Sequence, residues 1–299
     1  MTKPLHLAIG AFDGVHLGHR AVLHSAREAA RTDGGLVGVL TYDPHPSKVL
    51  RPESAVPLIF TRAQKDERLT EAGAQVVHHE PFDRAHAGIA AADFPRWLKQ
   101  TFPHLKSLHV GANFQYGRGR AGNGETLIAH GATEGLGVRL VAAVRLGDET
   151  VSSSRIRQCL VAGELAVANA MLHRPYEAEG VIIGGRRLGR TLGFPTVNVA
   201  WEPELKPAFG VYAVEVIFQG EALPAVANYG QRPTVESGPV APLLEAHVLR
   251  GAAPTTGDAV RVRWIRRLRA EQKFADLATL QAQIAKDTAT AKQALGLLG

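Results

Sequence analysis

The chain has 299 residues and one cysteine, Cys159. A lone thiol closes no disulfide within the chain and builds no multi-cysteine zinc site, which excludes a stapled secreted scaffold. Long apolar runs are also missing. No stretch reaches the roughly 18 consecutive apolar residues that cross a bilayer. The opening MTKPLHLAIGAFDG carries an acid too early, and too short an apolar run, for a secretion leader. A cytoplasmic setting without a membrane partner is expected. The GxxxxGK[ST] phosphate loop is absent, which removes one large class of nucleotide enzymes. A strong excess of one charge is missing as well. The net charge of +6 is mild and spread along the chain, which suits small anionic substrates and does not call for nucleic acid.

What is present is an ordinary globular composition, 45% hydrophobic and 21% charged, long enough for two domains. Strand-like runs at Leu5–Ile9, Leu36–Tyr42, Val76–Glu80, Ser107–Val110 and Val138–Val144 alternate with helix-like stretches near 19–31, 62–73, 92–101, 124–134 and 153–162. Gly34-Gly35, Gly73 and Gly135 read as helix stops. Strand and helix in alternation predict a doubly wound α/β parallel sheet, whose ligands bind beyond the carboxyl ends of the strands. After about Leu172 the pattern changes. Gly180–Ile183, Val211–Phe218, Ala222–Ala227, Leu244–Leu249 and Ala259–Ile265 are strand-like with no long helices between them, and Gln219-Gly220 reads as a hairpin turn. An antiparallel β-barrel or sandwich is expected there. A closing helix with a stripe of Leu277, Leu280, Ile284, Ala291, Leu295 and Leu298 follows, with Asp276 as N-cap. The boundary is placed near Pro175, giving domains 1–174 and 175–299.

Two segments of the first half read as anion sites. GAFDGVHLGH, residues 10–19, leaves the first strand and opens a helix. Its glycines, Gly10, Gly14 and Gly18, bring backbone close to a ligand, and His16 and His19 stand at a helix mouth that favours phosphate. SSSRIR, residues 152–157, sets three hydroxyls and two arginines at the start of another helix. TYDPHP (41–46) and GANFQYGRGRAGN (111–123) follow further strand ends.

These four segments, in this order, resemble the adenylyltransferase domain of bacterial bifunctional riboflavin kinase/FAD synthetases, within the HxGH nucleotidyltransferase superfamily. The resemblance implies transfer of an adenylyl group from ATP to FMN, giving FAD and pyrophosphate. It implies that His16 and His19 contact ATP phosphates and stabilise the transition state, with Gly10, Phe12, Asp13 and Gly18 in the same ATP-binding loop. Ser153, Ser154 and Arg157 would grip pyrophosphate, and Asn113 and Phe114 would line the flavin. Ala11 stands where asparagine is common in that family, Asn113 where aspartate is frequent, and Ser154 where threonine is usual.

In the second half, GVIIGGRRLGRTLGFPTVN, residues 180–198, joins a glycine–arginine loop to a rigid Pro195. Backbone amides around Gly184 and Gly193, with Arg190, can cradle phosphates. Thr196 and Asn198 offer oxygens suited to Mg²⁺. Glu245 lies in an apolar strand, LLEAHVLR, where it either faces solvent or accepts a proton from an alcohol. These segments, with RLRAEQKF (267–274), resemble the riboflavin kinase domain of the same enzymes. By that resemblance Thr196 and Asn198 hold Mg²⁺ and phosphate, and Glu245 is the base that activates riboflavin for attack on ATP, giving FMN and ADP. After that strand the family's aspartate–leucine–tyrosine–glycine stretch is replaced by GAAPTTGD. Two alternatives stand beside the bifunctional reading: an adenylyltransferase with a weakened kinase half, and a non-catalytic flavin-binding regulator that touches RNA through Arg261, Arg263, Arg266, Arg267 and Arg269. The first two arginines alternate with Val260, Val262 and Trp264 as a solvated strand face would, so no nucleic-acid partner is expected. His78 and His79, adjacent on a strand, face opposite ways and make a poor metal pair. Cys159 reads as a small buried apolar group.

Overall fold

The computed structural model describes residues 3–185, 193–231 and 242–297. The chain divides into two compact units, Met1–Ser153 and Ser154–Gly299. This division falls before the helices that the sequence reading places in the first domain.

In the first unit, β1 (Leu5–Ile9), α1 (Leu17–Asp33), β2 (Leu36–Asp43), α2 (Pro46–Leu50), α3 (Arg62–Glu71), β3 (Val76–Pro81), α4 (Arg84–Ala87), α5 (Phe94–Thr101), β4 (Leu105–Gly111), α6 (Gly124–Thr133) and β5 (Gly137–Val141) follow one another. The five strands form one parallel sheet, as the alternating pattern predicts, and their order is β3-β2-β1-β4-β5. Side chains alternate across the sheet, so each face has its own core. Ala8 and Val39 pack with Phe12, Leu23 and Leu69 under α1 and α3. Leu7, Ile9, Leu40, Leu108 and Val110 pack with Phe94, Leu98 and Leu127 of α5 and α6. The strand order reverses at β1, so the loops after β1 and β4 leave neighbouring strand ends together, where such folds bind ligands. A small ribbon of β6 (Arg145–Leu146) and β7 (Glu149–Thr150) ends this unit.

The second unit begins with α7 (Ser153–Ala162), whose first residue closes the first unit, and α8 (Leu165–Leu172). Then come β8 (Tyr176–Ile183), β9 (Val197–Ala200), β10 (Gly210–Phe218), β11 (Glu221–Gln231), β12 (Pro242–Val248), β13 (Ala259–Arg269) and α9 (Leu277–Ala294). The six strands close into an antiparallel barrel, β10-β11-β12-β9-β8-β13. Its interior is aromatic: Trp264 is fully buried and meets Tyr212 edge-on at 4.5 Å between ring centroids. Helix α9 lies on the outer face of β10 and β11, with Ala291 against Val211, Ala213 and Val226. The Asp276 carboxylate accepts the Thr279 amide at 2.7 Å, the expected N-cap.

Candidate active sites

The loop between β1 and α1 is strained. Phe12, Gly14 and Val15 have φ of 51°, 84° and 38°. Two of the three carry side chains in a region that costs about 1–3 kcal/mol and persists where surrounding contacts fix it. Those contacts are visible. Phe12 is buried, and its ring meets the His19 imidazole at 5.1 Å between centroids. The Gly10 amide donates to the Leu40 carbonyl, and Thr41 Oγ1 donates to the Ala11 carbonyl at 3.0 Å. Buried Asp13 is turned onto the next loop, accepting the Ile59 amide at 3.0 Å. Ser153 Oγ donates to the Asp13 carbonyl at 2.8 Å, tying the start of the serine–arginine segment to this loop.

The strained loop delivers two imidazoles at the mouth of α1. His16 is the N-cap, and its Nδ1 accepts the His19 amide at 3.4 Å. The two rings stack at 3.6 Å between centroids, 17° from parallel. Burial, then the neighbouring His16 and Lys65, hold the His19 pKa well below the usual imidazole value, so this ring is neutral at neutral pH. Its Nδ1 is buried with no hydrogen-bond partner. Gly18 makes the stack possible: a Cβ there would stand 3.1 Å from His16 Cε1. On the adjacent strand end, Asn113 is exposed at the tip of the turn after β4, and half-buried Phe114 stacks on Tyr116 at 5.9 Å. Ser154 is exposed and Arg157 half-buried on α7, within the second unit.

Sequence reasoning missed one charged group here. Lys65, half-buried on α3, donates from Nζ to Thr41 Oγ1 at 3.1 Å and lines a small cavity with Ala11, Tyr42, His45 and Phe60. Its field reaches His19. The one available signal was local: a cation in the first turn of a helix opposes the dipole, and such a residue is usually there for another reason.

In the barrel, register assembles the second site. Asn198 on β9 stands opposite Glu245 on β12, and Glu245 stands opposite Asn228 on β11. Directly opposed residues share a face, about 5 Å apart at Cβ. Their neighbours Val199, Leu244 and Ala246 fill the interior, so Asn198 and Glu245 lie on the outer face. Asn198 is buried there against Gly185, where no Cβ would fit. Thr196 precedes Asn198 by two residues and is exposed. His247, two residues beyond Glu245, bonds the Pro195 carbonyl through Nδ1 at 2.8 Å and meets the Phe194 ring edge-on. The histidine thus fastens the Phe-Pro-Thr segment to the strand that carries Glu245. Gly184 has open space around it, and Gly193 has a φ of 84°. Arg190 lies outside the described residues.

Oxygen donors dominate this pair, the chemistry that hard Mg²⁺ prefers. Among the described residues no cluster of three or more His, Cys, Asp or Glu could hold a metal ion unaided. A cation that arrives on a nucleotide and keeps several waters fits such a donor set.

Four of the five arginines of the β13 run have partners: Arg267 donates to the Phe209 carbonyl, and the other three meet carboxylates. Arg261 reaches Glu179 and Glu177, Arg263 reaches Glu177 at 3.1 Å, and Arg269 holds Asp287 at 2.7 Å. The expected solvated face is a half-buried ion-pair ladder built around buried Glu177. His78 and His79 bond Glu80 and Asp66 separately, and Cys159 is buried.

A wound sheet with stacked histidines at a helix mouth, and a barrel with an opposed amide and carboxylate, together define a two-unit transferase of phosphorus-containing groups. Residues 1–155 match the FAD synthetase family model and residues 172–295 the riboflavin kinase model, and the chain belongs to these families. The bifunctional riboflavin kinase/FMN adenylyltransferase of Escherichia coli (strain K12) is 38% identical over 292 residues, covering 97% of this chain and 93% of its own. The protein of the same name from Bacillus subtilis (strain 168) is 34% identical, covering 96% and 94%. A crystal structure named Macrolide-efflux Protein from Streptococcus pneumoniae superposes with a TM-score of 0.88 at 26% identity, covering 97% and 94%. Among the described residues no helix is long and apolar enough to cross a membrane.

Proposed function

We propose that the protein phosphorylates riboflavin to FMN in its barrel unit and adenylylates FMN to FAD in its sheet unit, in the cytoplasm, with ATP in both steps. The stacked His16–His19 pair at the α1 mouth carries the second assignment, and the Asn198–Glu245 register carries the first.

In the kinase step Glu245 accepts the proton of the ribityl 5′-hydroxyl as its oxygen attacks the γ-phosphorus, and ADP leaves. Thr196 and Asn198 would hold Mg²⁺, which supplies charge neutralisation on the phosphates when bound. In the adenylyl step a phosphate oxygen of FMN attacks the α-phosphorus of ATP, and pyrophosphate leaves. No protein nucleophile is needed, so alignment and charge stabilisation supply the catalysis. Neutral His19 contributes a hydrogen bond, and its Phe12 and His16 neighbours fix the ring before substrate arrives. Ser153, Ser154 and Arg157 are assigned to pyrophosphate, Asn113 and Phe114 to the flavin, and Gly184, Arg190 and Gly193 to the phosphates of the kinase nucleotide.

Incubation with riboflavin, ATP and Mg²⁺, with products separated by chromatography, tests the reading. FMN and FAD should both form, and FMN supplied directly should give FAD. FAD from supplied FMN alone, with none from riboflavin, would contradict the kinase assignment.

A further inference from the structure

We propose that Lys65 is a substrate-binding residue of adenylyl transfer, its ammonium meeting a phosphate oxygen where FMN and ATP come together. This rests on the adenylyltransferase reading of the sheet unit. The position carries it. Lys65 Nζ bonds Thr41 Oγ1, and Thr41 Oγ1 bonds the Ala11 carbonyl, so the ammonium is one side chain away from the histidine loop.

The local charges are arranged so that this cation is left with donors to give. Asp13, Asp43 and Asp66 all act on Lys65 electrostatically. Each is engaged elsewhere: Asp13 by the Ile59 amide, Asp43 by Arg62 at 2.8 Å, and Asp66 by His79 at 2.7 Å. Among the described residues Lys65 makes the Thr41 hydrogen bond and no ion pair. An ammonium has three donors, so two remain. Burial pulls its pKa below the usual lysine value, which is the cost of placing a charge here without a close partner. A purely structural lysine would sit on one of the three acids. This one faces the cavity beside Ala11, Tyr42 and His45. Neutral His19 provides a hydrogen bond at the same place, and Lys65 provides a positive charge that this ring lacks.

Steady-state adenylyl transfer by wild type, Lys65→Gln and Lys65→Arg, with FMN and ATP varied in turn, tests the assignment. Loss of one charge-assisted hydrogen bond predicts a fall of about 10- to 100-fold in kcat/KM for the glutamine variant, with partial rescue by arginine. A raised KM for FMN alone places the ammonium on the FMN phosphate, and a raised KM for ATP alone places it on the α-phosphate. Wild-type kinetics in Lys65→Gln, or an equal loss in both variants with both KM values unchanged, overturns the proposal. A measurement on wild-type protein covers a variant that fails to fold. Acetylation of Lys65 by acetic anhydride, read by mass spectrometry, should slow several-fold with FMN and a non-hydrolysable ATP analogue present, and an unchanged rate overturns the proposal. Wild-type protein that makes no FAD from FMN would instead remove the underlying reading.

Discussion

His109 makes the first unit sensitive to acid. A buried chain of polar side chains runs under the parallel sheet: Asp33 to His6 Nε2 at 3.1 Å, His6 Nδ1 to Ser107 Oγ at 2.7 Å, Ser107 Oγ to His109 Nε2 at 2.8 Å, and His109 Nδ1 to Ser25 Oγ at 2.8 Å. His109 is 1% exposed. Burial first, then the nearby His6 and Arg139, lower its pKa from 6.5 to about 4. The unfolded chain therefore takes up a proton near 6.5 that the folded chain refuses until about 4. The stability from this group is whole above the unfolded value and falls as pH drops through that window. At about 1.36 kcal/mol per decade of proton affinity, the loss reaches about 3 kcal/mol. Other histidines with lowered values, His19, His79 and His86, add to the total, so the His109 share is read by difference. Urea unfolding of wild type and His109→Gln, followed by pulse-labelled amide exchange over Leu105–Gly111 at pH 7.5, 5.5 and 4.5, provides it. The wild type should lose more stability than the variant as pH falls. Parallel pH dependence in the two proteins would refute a buried neutral His109.

Gly18→Ala should separate stability from activity. Alanine favours the helix by about 0.5–1 kcal/mol, but its Cβ presses on the His16 ring. Thermal stability should hold or rise while adenylyl transfer falls by about 10- to 100-fold, and full activity would show that the stack is not required. His247→Ala removes the bond to the Pro195 carbonyl, so kinase turnover should fall about tenfold and need more Mg²⁺, with adenylyl transfer untouched; an unchanged Mg²⁺ requirement would contradict the fastening role. Any RNA binding should be weak and lost steeply with salt, because three of the β13 arginines, Arg261, Arg263 and Arg269, are engaged by carboxylates, and tight binding that resists salt would contradict this.

The architecture was legible where one period dominated. Val214, Val216 and the interior residues of β13 alternate cleanly, and the helix stripes end at glycines, so the parallel sheet and the antiparallel class of the second unit followed from pattern, while the strand orders did not. Short elements were hidden. The four-residue β9 lies in text that reads as a phosphate loop, and α8, LAVANAML, is apolar nearly all round and shows no stripe. β13 runs on to Arg269, beyond the expected Ile265, because Arg267 and Arg269 find acceptors in the Phe209 carbonyl and Asp287. Among the proposed site residues, glycine and histidine spacing pointed to His16 and His19, Asn198 was read as an oxygen donor after a rigid proline, and Glu245 rested on the family resemblance. The opposition of Asn198 and Glu245 depends on strand register, which no local pattern encodes. Lys65 and the His6–Ser107–His109 chain depend on contacts between distant segments, and their sequences look like an ordinary surface helix and ordinary apolar strands.

Separate chemistry in separate units is most directly tested by two substitutions in the intact protein. His19→Ala should abolish FAD formation from FMN and leave riboflavin phosphorylation at the wild-type rate. Glu245→Gln should do the opposite. Equal loss of both reactions in either variant would contradict two independent sites.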